Sequence, residues 1–125
     1  MSVDIGLDRL RQELDAFRLA PYLVTVNDDG RPHAVAISVG WAGDALATRA
    51  GSRSLANLTR RSQVTLLWPP SEPDGYSLIV DGVASADLQG EDQVTVQPVS
   101  AVLHRLAPQT PGQPVRSDCV TVLRR

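Results

Sequence analysis

The sequence contains no lysine: all twelve of its basic residues are arginine. A lysine Schiff base, and with it lysine-linked pyridoxal phosphate chemistry, is therefore excluded. Cysteine is reduced to Cys119 alone, which rules out an internal disulfide framework, a thiolate metal cluster and a CxxC redox pair. Histidine occurs twice, as His33 and His104, and no set of histidines and carboxylates falls at metal-ligand spacing, so no metal site is expected. Aromatic residues make up 4% of the chain, and no apolar run approaches the length that crosses a bilayer. The start of the sequence lacks a basic segment followed by an apolar one, which together with the lone cysteine predicts a reduced, cytoplasmic protein with no membrane partner. A formal net charge of −2 gives no reason to expect a nucleic-acid partner. No nucleophile elbow, P-loop or dinucleotide fingerprint is present, and no catalytic residue can be singled out.

The 125 residues that are there have the size of one domain and show no internal repeat, so 1–125 reads as a single unit. Leu7, Leu10, Leu14 and Phe17 recur at helical spacing with charged residues between them, predicting an amphipathic helix over about 5–19 that stops before Ala20-Pro21. The period then changes to that of strands. Tyr22–Val26 and Pro32–Trp41 flank Asn27-Asp28-Asp29-Gly30-Arg31, a hairpin signal with a glycine available for positive φ. In the second run Val35, Ile37, Val39 and Trp41 alternate with Ala34, Ala36 and Ser38, making one bulky face and one nearly bare. Further strands are expected at 45–49, 63–68, 76–86 with a bulge at Asp81-Gly82, 94–106 with Pro98 at an edge or bend, and 119–123. Asp87 to Gly90 reads as a turn, and the 69–75 loop as an exposed cover for an edge or a site. Cys119 reads as a small apolar member of the last strand. Six or seven antiparallel strands at short spacing with two helices predict a mainly β protein, a closed or partly closed barrel.

Thr48 to Trp68 is the stretch with chemical content. It reads as a strand end, a Gly-Ser-Arg loop, a short helix beginning near Ser54 and another strand. Thr48 and Ser52 bring hydroxyls, Arg49 and Arg53 bring planar forks suited to phosphate, and a helix start offers unpaired N–H groups and a favourable dipole. Taken alone, the same residues are better explained as an exposed loop in which Ser52 or Ser54 caps the helix and the arginines are solvated. Arg60 and Arg61 are placed where cations suit a helix C-terminus.

The order GRPHAVAISV, a turn, ALATRAGSRSLANL, VTLLW and then YSLIVDGVASA resembles the pyridoxamine 5′-phosphate oxidase-like flavin-binding split barrels, most clearly over residues 20–86. The resemblance implies a split β-barrel of Greek-key type and a homodimer with flavin mononucleotide (FMN), or the deazaflavin F420, in a cleft between subunits. By the same resemblance Thr48, Ser52 and Arg53 match positions that touch the cofactor phosphate. Ser54 stands where the family has a second basic residue, which Arg49 or an arginine of the partner subunit would have to replace. Val35 and Gly40 occupy positions where the oxidase itself carries an arginine and a lysine, so true pyridoxamine phosphate oxidation is not expected. The implied function is an FMN- or F420-dependent oxidoreductase; the alternative is a non-catalytic module that has lost flavin and holds haem, another small ligand or only its partner subunit. His33, His104, Arg105, Trp41 and Trp68 are further residues that such a cleft would bring into question.

Overall fold

The structure, a computed structural model, describes residues 6–87 and 92–125. It comprises α1 (Leu7–Leu14), β1 (Tyr22–Val26), β2 (Pro32–Ala36), β3 (Val39–Ala42), β4 (Ala45–Arg49), α2 (Ser52–Arg60), β5 (Gln63–Trp68), β6 (Ser77–Asp87), β7 (Gln93–Leu106) and β8 (Ser117–Arg124). All eight strands belong to one antiparallel sheet in the order β2-β1-β5-β6-β7-β4-β3, with β8 also on β7. The turn expected at Asp87 to Gly90 falls largely outside the described residues.

The expected hairpin forms as read. Gly30 adopts a φ of 89°, a conformation a side chain would resist, and Asn27 N–H donates to Arg31 O at 2.8 Å to close the loop. Two expectations about segment length do not hold. The first helix ends at Leu14, not at 19, because Ala16 and Phe17 turn back through i→i−3 bonds to Glu13 and Leu14. That turn lets Phe17 pack on the core and brings Pro21, whose carbonyl accepts from Ile37 N–H at 3.0 Å.

The run Pro32–Trp41 is not one strand but two. β2 pairs with β1 and β3 with β4, and the chain bends between them at Ile37-Ser38. Ile37 is buried there, and the carbonyl of Ser38 accepts a hydrogen bond from the Thr48 hydroxyl at 2.6 Å. Both backbone groups of the bend are thus satisfied by residues distant in sequence, as burial requires. Since β2 and β3 are the two ends of the sheet, this bend is also where the barrel is split.

Gly82 sits at the expected bulge, where the β6–β7 register shifts. A Cβ there would lie 2.6 Å from a Val96 methyl carbon and 2.7 Å from Gln97 O, so the two strands approach too closely for any side chain. Pro98 lies opposite Gly82, at a bend rather than an edge: β7 pairs with β4 before it and with β8 after it. The core is aliphatic, built from fully buried Leu10, Leu23, Leu66, Leu78, Val80 and Val96 among others. Cys119 lies in β8 as expected but is exposed rather than packed, since it falls on the outward phase of the strand.

Candidate cofactor site

β4 and α2 meet through Ala50 and Gly51. α2 begins at Ser52, two residues earlier than expected, with Gly51 as its N-cap and no side-chain capping bond. Neither Ser52 nor Ser54 caps it. The first N–H groups of the helix are therefore left for another acceptor, and the positive end of the helix dipole faces outward at Ser52 and Arg53, both exposed. Arg53 makes no side-chain hydrogen bond or ion pair among the described residues.

The five sequence-predicted residues divide into three groups. Thr48 and Arg49 line a cleft of about 480 Å³ together with Ser38, Val39, Gly40, Ala47 and Gln93. Ser52 and Arg53 stand beyond it at the helix start. Ser54 is 2% exposed, so its side chain is interior and only its backbone N–H is placed among the helix-start donors. Thr48 is also buried, and its hydroxyl donates to Ser38 O, so it is a tie across the split before it is a ligand group. Arg49 is exposed at the end of β4, opposite Gln93. At Gly40 the cleft lining is bare: a Cβ built there meets no atom within 4 Å.

Sequence reasoning did not single out Asn57, which holds this corner in place. It is 1% exposed on the buried side of α2, and its amide donates to Thr25 Oγ1 at 3.0 Å and Asn27 Oδ1 at 2.8 Å. Arg61 donates to Asn27 O at 3.0 Å, and Arg60 pairs with Asp28 at 3.2 Å. The two arginines at the helix end therefore clamp α2 to the β1–β2 hairpin, besides suiting the helix dipole. An asparagine inside a helical pattern, on its apolar side, was the available signal.

The remaining candidates are dispersed. His33 lies on β2 directly opposite Thr25, with its Nδ1 buried and unpartnered among the described residues. Trp41 and Trp68 line one pocket of about 400 Å³ with Phe17, sharing Ser38, Val39 and Gly40 with the corner cleft; the Arg11 guanidinium stacks on Trp41 at 4.2 Å. The 69–75 loop is tied to the segment after α1, where the Ser71 hydroxyl donates to Ala16 O at 3.1 Å.

His104 and Arg105 are at the far end of β7 from Gln93, and they face a different cluster. There the Tyr76 hydroxyl donates to Asp118 Oδ2 at 2.6 Å, and Arg105 Nε donates to the same oxygen at 2.9 Å while stacking on the Tyr76 ring. These bonds, Tyr76's first and Arg105's second, hold the Asp118 carboxyl below its usual range. Donating to a carboxylate raises the Tyr76 hydroxyl above its own. Among the described residues no group of three or more histidines, cysteines and carboxylates converges on a metal position, and no helix is long and apolar enough to cross a membrane.

An eight-stranded antiparallel sheet split between β2 and β3, with a short helix opening beside the split, is the fold of the pyridoxamine 5′-phosphate oxidase-like proteins. It is shared with a pyridoxamine 5′-phosphate oxidase-related, FMN-binding protein from Nostoc punctiforme (TM-score 0.56, 12% identity, covering 91% of this chain and 92% of that one). An F420 reductase matches with a TM-score of 0.56 at 21% identity, covering 72% and 94% of the two chains. A heme-binding protein from Mycobacterium smegmatis matches with a TM-score of 0.61 at 15% identity, covering 96% of this chain and 60% of that one. In sequence the chain is 42% identical, over 133 aligned positions spanning 93% of each chain, to uncharacterised proteins of Mycobacterium bovis and Mycobacterium tuberculosis. It belongs to the same family as these mycobacterial proteins. No protein-family model matches the chain.

Proposed function

We propose that the protein is a cytoplasmic homodimer that binds FMN, or the deazaflavin F420, at the corner formed by residues 48–54, and acts as an oxidoreductase on a small-molecule substrate. The observation that carries this reading is the start of α2: an uncapped helix N-terminus with the exposed, unpaired Arg53 guanidinium and the Ser52 hydroxyl, next to a cleft whose β3 wall is nearly bare. These residues fit a phosphate monoester, for which helix-start N–H groups and an arginine fork are the usual donors. A bound flavin would supply the electron-transfer chemistry itself. The chain's contribution is to neutralise the phosphate with Arg53 and Arg49 and to let a flat ring approach the backbone at Ser38–Gly40. True pyridoxamine phosphate oxidation does not fit, since Val35 packs on the core and Gly40 has no side chain where that enzyme carries cations.

A second reading, a non-catalytic module without flavin, is favoured by the commitment of the Thr48 hydroxyl to Ser38 and by the burial of Ser54, which leave few side chains for a phosphate. The visible spectrum of the protein as isolated, followed by titration with FMN and with F420, separates the two. A flavin or deazaflavin band, or saturable micromolar binding of either, supports the first. Failure of both at micromolar concentrations overturns it, and mass spectrometry of released ligand then identifies haem or another occupant.

A further inference from the structure

The sequence has two tryptophans, and both line the hollow of about 400 Å³ between β3 and the segment that follows α1. Trp68, Ile37 and Leu46 are its buried members, and the half-buried Phe17 and Trp41 complete its apolar lining. These walls are fixed in advance. Trp68 is held in the core at 4% exposure, and Trp41 is clamped by the Arg11 guanidinium, which is itself tied to Gly43 O and to Asp44 at 3.5 Å. A ring entering the hollow therefore meets aromatic surfaces that lose little freedom on contact.

The hollow also runs along the edge of a strand. Ser38, Val39, Gly40 and Trp41 all line it, and because successive side chains point to opposite faces, four in a row can do so only along the strand's edge. β3 pairs with β4 alone, so every second residue turns its N–H and C=O away from the ladder, where a polar atom of a flat molecule can reach them. Asp15 and Arg18 supply one charge of each sign, both exposed and neither with a side-chain hydrogen bond or ion pair among the described residues. No other ionisable side chain lines the hollow. A charged group drawn inside would lose its water without gaining a partner among the aromatic walls.

We infer that this hollow is a subsite for an uncharged, flat aromatic molecule, stacked among Phe17, Trp41 and Trp68 and hydrogen-bonded through a polar substituent to the edge of β3. Its volume is near the lower end of the roughly 300–1,000 Å³ that small-molecule sites span, which suits a ligand of one or two rings. Ser38, Val39 and Gly40 line the corner cleft as well, so the hollow adjoins the proposed cofactor position and its occupant is the substrate of the oxidoreductase. That role rests on the flavin reading; the binding does not.

Prodan, an uncharged two-ring naphthalene ketone that absorbs where tryptophan emits, tests the binding by titration into the full chain without flavin. Saturable quenching of tryptophan emission at micromolar concentrations is the expected result. Ala20→Phe, at an exposed position lining the hollow, and Gly40→Leu, where a Cβ meets no atom within 4 Å, each put a side chain into the space. Each should raise the dissociation constant at least about tenfold, with thermal melts to verify folding. Competition sets the ligand class: naphthamide displaces prodan, and naphthoate, the same rings carrying a charge, does so at least about tenfold more weakly. Absence of saturable quenching, unchanged affinity in the two variants, or naphthoate competing as well as naphthamide overturns the inference. A chain that binds FMN or F420 and fails these tests keeps the cofactor reading without the subsite. One that passes them and binds neither keeps the subsite and loses only its role as the place of the substrate.

Discussion

Replacing Asn57 with alanine removes an amide that makes two hydrogen bonds in an almost fully buried position, to Thr25 Oγ1 at 3.0 Å and to Asn27 Oδ1 at 2.8 Å. A buried side-chain bond contributes about 1 kcal/mol net, and stranding a partner costs about 1 kcal/mol more, so the variant should lose about 2–3 kcal/mol. Thr25, itself 1% exposed, has no water to turn to, whereas the partly exposed Asn27 has. For a domain of this size the loss corresponds to a fall in Tm of about 8–12 °C, read by circular dichroism melts at neutral pH. Asn57→Asp sharpens the test. It sets a carboxylate oxygen against the acceptor-only Asn27 Oδ1 and buries a charge that the Thr25 hydroxyl alone can answer, so at pH 7 it should destabilise more than alanine does, and acidification should narrow the gap as the carboxyl gains a proton and can donate. A loss below about 0.5 kcal/mol for the alanine variant, typical of a surface site, would refute the role given to the amide. So would aspartate being tolerated better than alanine at pH 7.

Gly82→Ala should cost about 1–3 kcal/mol through overpacking, because its Cβ would meet a Val96 methyl carbon and Gln97 O at under 3 Å; an unchanged melting curve would contradict the close approach. Arg53→Ala should weaken FMN or F420 binding by about tenfold or more while leaving Tm unchanged, since the side chain is exposed; equal affinities by titration would remove Arg53 from the phosphate site. The Tyr76–Asp118 bond gives two pH limbs. Asp118 is held below its ordinary value of 3.8, so its stabilisation is present above that value and is lost as pH falls through the lowered folded pKa. Tyr76 is raised above its ordinary 10.0, so its stabilisation is present below 10.0 and is lost as pH rises through the raised folded pKa. Tyr76→Phe should remove the alkaline limb and reduce the acid one, which Arg105 still supports, in melts recorded across pH, and a profile identical to wild type would count against the pairing.

What the sequence determined by itself was local. Short apolar and β-branched runs bounded by turn and proline signals located β1, β4 and β5 to the residue, because a strand buried on the core side needs apolar residues and the chain must turn at its ends. Asn27 to Gly30 announced a hairpin and Asp81-Gly82 a bulge, because positive φ and close backbone approach leave few residue choices. The ordered set of segments from Gly30 to Ala86 was enough to point to the split barrel, since order along the chain is what a fold family preserves.

What only the tertiary structure decided depends on groups far apart in the chain. The break at Ile37-Ser38 has no glycine, proline, asparagine or aspartate to mark it, and exists because Pro21 and Thr48 satisfy its backbone. That Thr48 and Ser54 are both buried, and that the Thr48 hydroxyl is turned to Ser38, is set by the fold and not by their place in the sequence. Asn57 acquired its role from Thr25 and Asn27, 32 and 30 residues away, and Tyr76 from Asp118, 42 residues away. That Asp81, Ser100 and Arg124 share one outward row was set by the pairing of β6, β7 and β8, because strand register is a property of neighbours and not of any strand alone.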